Sequence, residues 1–389
     1  MKSNEKKISL VNNTISKSEI NEIAKWLKKN ERLTKGNLTI EFEKQWSKWL
    51  GRKYSLFVNS GSSANLAMFY ALILSGKLRN NKIIVPSVSW VTTVSPVMQL
   101  GLEPILCDSD KDTLGLDINH LKKLIETEKP SALILVHVLG VPNKMNEIIT
   151  LCNDNDIILL EDSCESVGSE YNNIKTGCFG LMSSFSTYYG HHFSTIEGGL
   201  ISTDDEDMYN ILLSIRSHGW DRDLNSETRE KLRSKYNIDE FRGLYTFYYP
   251  GFNLRSTDLQ AKIGLLQLDK LDSIVENRVN NFKIYHDLIK NDYWKISPCE
   301  NTIISNFSYP IINPNLHKIV DDLTKNNIEC RPLVCGSIGR QPFYIEKYGI
   351  QKDLNFADIV HDYGLYVPNN HELKESQIKL ICKVINRNI

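Results

Sequence analysis

Four short, predominantly apolar runs, at 83–85, 104–107, 132–138 and 157–161, limit this chain's possible folds more than any other feature. None alternates between apolar and polar residues, so each strand they form must be buried on both faces. That is the pattern of a mostly parallel sheet covered by helices on either side. Helical periodicities at 91–100, 118–127 and 145–153 lie between the runs and complete an α/β pattern. Before it come an amphipathic helix at 16–29, with Ile20, Ile23, Ala24 and Leu27 on one face and Ser18 as its cap, and a second helix carrying Phe42, Trp46, Trp49 and Leu50, closed by Gly51. A strand at 54–58 leads through Asn59 and Ser60 to Gly61, Ser62 and Ser63, and then into a helix from Ala64 to about Ser75.

At 389 residues the chain is long enough for two cores. The expected division is a large α/β domain at 1–260 and a smaller α+β domain at 261–389, with one long helix at 258–288 leaving the first. A net charge of -1 with scattered basic residues excludes a nucleic-acid or anionic-membrane surface. The first residues lack the apolar core of a signal peptide and no stretch reaches transmembrane length, so a cytoplasmic location is expected. The eight cysteines form no C-x-C or C-x-x-C pair, which points to reduced thiols and to no zinc or iron–sulfur site.

Several residues fall where a fold of this kind binds ligands. Gly61, Ser62 and Ser63 join a strand to a helix, where amide N–H groups and the helix dipole favour an anion. Asp162 ends the apolar run at 157–161, at the carboxyl edge of a parallel strand. Trp90 follows the strand at 83–85, and Arg255, in Gly-Phe-Asn-Leu-Arg with Asn253, suits a carboxylate. Plainer readings exist for each: a helix cap, a turn cap, a core tryptophan and a surface salt bridge.

The stretch at 183–199, SSFSTYYGHHFSTIEGG, closely resembles the cofactor segment of the DegT/DnrJ/EryC1/StrS nucleotide-sugar aminotransferases, S-F-S-x-Y-x-x-K-x-x-x-x-x-E-G-G. Residues 60–64 resemble that family's S-G-[ST]-x-A motif, 161–165 its E-D-[AS]-x-[QE], and 251–255 its G-[YF]-N-x-R. The resemblance implies a fold type I aminotransferase architecture and a pyridoxal or pyridoxamine phosphate cofactor. Gly61, Ser62, Ser63 and Ser186 would hold its phosphate, Trp90 would stack on the ring and Asp162 would meet the ring nitrogen. Glu165 stands where many members carry glutamine, facing the ring hydroxyl or substrate. Asn253 and Arg255 would reach across a homodimer interface, to the phosphate and to the carboxylate of an amino donor.

At the position of the family's Schiff-base lysine stands His191, and no lysine occurs between Lys175 and Lys231. Imidazole forms no stable aldimine but moves protons near neutral pH. The same change marks the sugar 3-dehydratases of the family. The iron–sulfur kind, which works with a reductase, carries cysteines that this chain lacks: after His218-Gly219-Trp220, none occurs before Cys299. The implied activity is therefore removal of the C3 hydroxyl of a nucleotide-linked 4-keto-6-deoxyhexose, GDP-4-keto-6-deoxymannose foremost. L-glutamate would be the donor and ammonia and 2-oxoglutarate would be released, with His191 as catalytic base and no role for His192. The residues themselves leave open a CDP-, dTDP- or UDP-linked sugar, a transaminating or reductase-coupled outcome, and a non-catalytic sugar-nucleotide binder.

Overall fold

The computed structural model describes residues 7–29 and 31–389. Seven strands form the central sheet: β1 (Tyr54–Val58), β2 (Lys82–Pro86), β3 (Glu103–Cys107), β4 (Ala132–Val136), β5 (Ile158–Asp162), β8 (Met182–Ser186) and β9 (Gly199–Thr203), in the order β1-β9-β8-β5-β4-β2-β3. Neighbours from β3 to β8 run parallel, and β9 runs antiparallel to both β8 and β1. Reversing twice makes β1 parallel to β8, so the carboxyl ends of β1, β5 and β8 share one edge. The register aligns Val58, Gly199 and Ser186 across that edge, with Asp162 beside Ser184. Strands β4, β8 and β9 are buried along their whole length, β4 as its unbroken apolar run requires and β8 and β9 despite their serines and threonine.

Helices α3 (Gly61–Ser75), α4 (Val91–Gln99), α5 (Ile118–Glu128), α6 (Met145–Asp154) and α7 (Glu206–Arg216) flank the sheet, with α8 (Ser226–Lys235) following α7. Along α3, Ala64, Ala67 and Ala71 alternate with Met68, Phe69 and Leu72, all essentially without exposure. Small residues let the helix approach β8 and β9, while each large one contributes about 1.5–3 kcal/mol on burial. A two-residue strand pair, β6 (Glu170–Tyr171) and β7 (Ile174–Lys175), joins β10 (Thr302–Ile303) in a separate small sheet.

The helix expected at 258–288 is two helices, α9 (Asp258–Leu268) and α10 (Leu271–Leu288). The break is tertiary in origin. Lys270 Nζ pairs with Glu19 Oε2 at 2.7 Å, and Gln267 Nε2 reaches Thr14 O and Glu19 Oε1 at 3.2 and 2.7 Å. At its start α9 is fastened to α2 (Asn37–Leu50), because the Asp258 carboxylate accepts from Gly36 N, Leu38 N and Thr39 N. Beyond α10, strands β11 (Ser308–Ile312), β12 (Arg331–Pro332) and β13 (Gly364–Pro368) form a three-stranded sheet. Around it lie α11 (Leu316–Lys325), α12 (Pro342–Tyr348), α13 (Asn355–Tyr363) and α14 (Glu375–Asn386).

Helix α1 (Lys17–Leu27) corrects two details of the sequence reading. Its cap is Ser16, not Ser18, because Glu19 returns a bond to the Ser16 amide and completes a capping box. Its buried residues are Glu19 and Trp26, while Ile20 and Leu27 face out. Among the described residues no helix is long and apolar enough to cross a membrane.

Candidate active site

The turn after β1 converges on the end of β8. Ser60 caps α3 and its Oγ accepts from Ser63 N at 3.0 Å, which leaves the first-turn amides of Gly61 and Ser62 without intrahelical partners. Ser62 Oγ is tied to Thr92 Oγ1 at 3.1 Å in the first turn of α4. Packing here is tight: a Cβ on Gly61 would sit 2.8 Å from Ser186 Cβ and 3.0 Å from Cys164 Sγ. One on Gly199 would lie 2.3 Å from the Ser60 carbonyl carbon. Gly61, Ser62, Ser63 and Ser186 are thus brought together as a concave donor group.

Asp162 lies beside it, buried at the end of β5. Its Oδ2 accepts from Asn65 Nδ2 and Thr93 Oγ1, both at 2.8 Å, and its Oδ1 from Cys164 N at 3.2 Å. Ser184 Oγ in turn donates to Asn65 Oδ1 at 2.6 Å, fixing the amide orientation. Among the described residues no Lys, Arg or His forms an ion pair with this carboxylate. A buried anion with neutral donors around it calls for a cation from elsewhere. Trp90, at the mouth of α4, is 55% exposed and so is not a core tryptophan.

His191 sits in the turn after β8, its Nδ1 2.8 Å from the Cys164 carbonyl oxygen and its ring centroid 5.3 Å from that of Phe307. A carbonyl only accepts, so Nδ1 carries the proton and Nε2 keeps its lone pair. Burial pulls the imidazole down to about 4, opposed by the Cys164 carbonyl and by Asp162 and assisted by Arg278. His192 turns inward, with Nε2 2.9 Å from Ser305 O, Nδ1 unpartnered and its ring fully buried.

Glu165 Oε2 accepts from Leu139 N at 2.6 Å. Burial, with the negative charge of Asp162 adding to it against the Leu139 N–H, pushes its carboxyl up to about 7. The neighbouring Glu161 has a different task. Fully buried, it accepts from Gly177 N, Phe179 N and Gly180 N at 2.6–2.7 Å and meets His137 Nε2 at 3.2 Å, shaping the loop before β8.

Asn253 and Arg255 lie on a neighbouring strip that bridges Ser217 to Asn253 and Val58 to Arg255, with Asn59 N donating to Leu254 O at 2.9 Å. Asn253 is exposed and Arg255 half-buried. Among the described residues Arg255 makes no salt bridge, so the surface-pair reading does not describe it. Asn65 and Thr93, which hold Asp162, escaped the sequence reading. The available signal was a polar residue one turn after Gly61 on an otherwise apolar helix, and a threonine three residues after Trp90. Phe307 and Ser305, more than 100 residues from the histidines they touch, gave no local signal.

The geometry fits a flat, cationic ring bearing a phosphate: a helix-start cradle in which a methyl group would clash, a buried carboxylate awaiting a cation, and an open indole. Comparisons with known proteins agree. The chain is 36% identical over 391 residues to the GDP-4-keto-6-deoxy-D-mannose 3-dehydratase of Yersinia pseudotuberculosis, covering 97% of this chain and 98% of that one. It is 37% identical to the protein of the same name from Escherichia coli O55:H7, with 89% and 90% covered. A crystal structure of GDP-4-keto-6-deoxymannose-3-dehydratase with a trapped PLP-glutamate geminal diamine superposes with a TM-score of 0.88 at 34% identity, covering 97% of this chain and all of that one. The model of the DegT/DnrJ/EryC1/StrS aminotransferase family matches residues 13–386, and the chain belongs to that family.

Proposed function

We propose that this chain is a pyridoxal-phosphate-dependent 3-dehydratase acting on GDP-4-keto-6-deoxymannose, with L-glutamate as amino donor and ammonia and 2-oxoglutarate as released products. One observation carries the reading. The position that would covalently anchor the cofactor holds His191, whose Nδ1–H is committed to the Cys164 carbonyl at 2.8 Å. Its free Nε2 is a base that cannot become a covalent tether.

The chemistry the cofactor supplies when bound is an amine for the sugar ketone and an electron sink in the ring. The chain's own residues do the rest. Gly61, Ser62, Ser63 and Ser186 offer donors to the phosphate, and the Asp162 carboxylate keeps the ring nitrogen protonated. Trp90 stacks on one face of the ring, and Glu165 meets its hydroxyl or the substrate. His191 Nε2 removes the proton from the carbon that bears the amine and returns it to the departing C3 hydroxyl. Because burial holds the imidazole at about 4, it is neutral, and so competent as a base, throughout the physiological range.

The active unit in this reading is a dimer, in which Asn253 and Arg255 serve the neighbouring site and Arg255 grips the carboxylate of glutamate. Its support is the apolar surface left bare on the His191 turn and at 241–245. Tyr188, Tyr189 and Ile196 on the His191 turn are exposed, as are Phe241, at 82%, and Tyr245, at 76%.

The test is turnover of GDP-4-keto-6-deoxymannose with L-glutamate, the sugar product being weighed by mass spectrometry. The expected product is lighter by one oxygen and forms without a reductase. His191→Asn keeps the cofactor and loses turnover, whereas an amino-sugar product, or turnover surviving in that variant, overturns the reading.

A further inference from the structure

Behind the two histidines runs the segment 304–307, pressed between the sheet domain and α10. Ser305 O accepts from His192 Nε2, and the Phe307 ring lies against His191. Phe307 N donates to Leu139 O at 2.9 Å, and the amide of Leu139 holds Glu165. Three of the groups read above as active-site neighbours therefore lean on one short stretch of backbone. Arg278 of α10 is one fastening of that stretch: its Nη1 donates to Asn306 O at 3.2 Å, Phe307 O at 2.9 Å and Asn369 O at 2.5 Å, while Ser169 Oγ accepts from Ser305 N at 3.0 Å and Asn369 Nδ2 donates to Asn306 O at 3.2 Å.

Arg278 is 3% exposed, and among the described residues no carboxylate pairs with it; only carbonyls receive its bonds, and Nε has no partner at all. A carboxylate would offset the burial of this guanidinium far better than carbonyl dipoles do, so its isolation leaves an uncompensated positive charge beside the histidine pair. Burial brings the group down to about 9, which still leaves it charged at neutral pH. We propose that Arg278 is a positioning residue of the active site, whose carboxylate-free guanidinium helps hold the backbone against which the histidines rest and sets the one permanent positive charge beside their rings. The inference rests on the reading of His191 as the base.

The groups facing His191 are few enough to name. Asp162 at the end of β5 favours the imidazolium, Arg278 on α10 opposes it, and Cys164 contributes its carbonyl. On the His191 turn stands His192, with His371 and Arg278 close enough to bear on it. Arg278 is the one permanent cation acting on either ring.

Titration of the Cε1–H resonances in histidine-labelled, cofactor-free protein reads this directly, the His191 signal being assigned by its loss in His191→Asn. In the wild-type chain His191 titrates well below the ordinary value of about 6.5. Arg278→Met raises it, burial still holding it below that value, while Arg278→Lys leaves it low. The acid limb of the kcat profile moves up with the resonance. An ordinary wild-type titration overturns the proposal whether or not any variant folds. An unmoved resonance in Arg278→Met, or equal shifts in the Met and Lys variants, overturns it too. A resonance that shifts while the acid limb stays still supports the charge role and instead removes His191 as the base, so the two failures are distinguishable.

Discussion

Asp162→Asn separates folding from cofactor binding more cleanly than any other single change in the site. Both carboxylate oxygens accept hydrogen bonds, Oδ2 from Asn65 and Thr93 and Oδ1 from Cys164 N. An amide in that place must turn its NH2 toward one of these donors, at a cost of about 1–3 kcal/mol. The same change removes a buried charge that lacks a protein cation, a gain of similar size and opposite sign. The cofactor-free protein should therefore melt within about 3 °C of wild type, since about 2 cal/mol/K per residue over 389 residues makes one degree worth roughly 0.8 kcal/mol. The loaded protein responds differently. Losing a charge-assisted bond to the ring nitrogen is worth about 1.5–3 kcal/mol, or about 10- to 100-fold in Kd. Pyridoxal phosphate titrated by absorbance, with melting curves with and without it, gives both numbers. Wild-type affinity in a folded Asp162→Asn protein would refute the assignment of Asp162 to the ring.

Two further outcomes follow from the packing at Gly61 and the burial of His371. Gly61→Ala places a methyl group 2.8 Å from Ser186 Cβ and 3.2 Å from Ser186 Cα, so one wall of the cradle must move. The expected cost is about 1–3 kcal/mol of stability together with weaker cofactor binding, and unchanged melting and affinity would show that the two walls part freely. His371, with Nδ1 buried and unpartnered, is held down to about 4 by burial and by Arg278. The unfolded imidazole takes up its proton at about 6.5 while the folded one stays neutral, so this group removes stability as pH falls from about 6.5 to about 4, by about 3 kcal/mol in all. Urea denaturation of His371→Gln across that window should show a flatter acid limb than wild type; parallel limbs would refute it.

The sheet was legible because a doubly covered strand has to be apolar on both faces, which is a local property. The seven site positions from Gly61 to Ser186 lie at or just beyond the ends of four strands, β1, β2, β5 and β8, whose carboxyl ends share one edge. The break in 258–288 was not legible: no Gly or Pro marks it, and it depends on Glu19, some 250 residues away, pairing with Lys270. The outward turn of Ile20 and Leu27 escaped for a related reason, since periodicity identifies an apolar face but not what covers it. Phe307, Ser305 and Arg278 were invisible because their importance comes from threading past the histidines and not from any spacing with them.

That threading has a consequence for how the protein is made. The turn at Gly61 packs against the end of β8, the histidine turn against residues 305–307, and these are bonded by Arg278 and Asn369. A nascent chain halted before residue 307 can pair β1 with β9 yet cannot back His191 or His192. At roughly 5–20 residues per second, the interval between synthesis of the Gly61 turn and of Phe307 is about 12–50 s. For that time the ribosome carries a sheet whose ligand-binding edge is open. A truncation that spares Gly61, Ser62, Ser63 and Ser186 therefore still removes the wall on which the histidines rest.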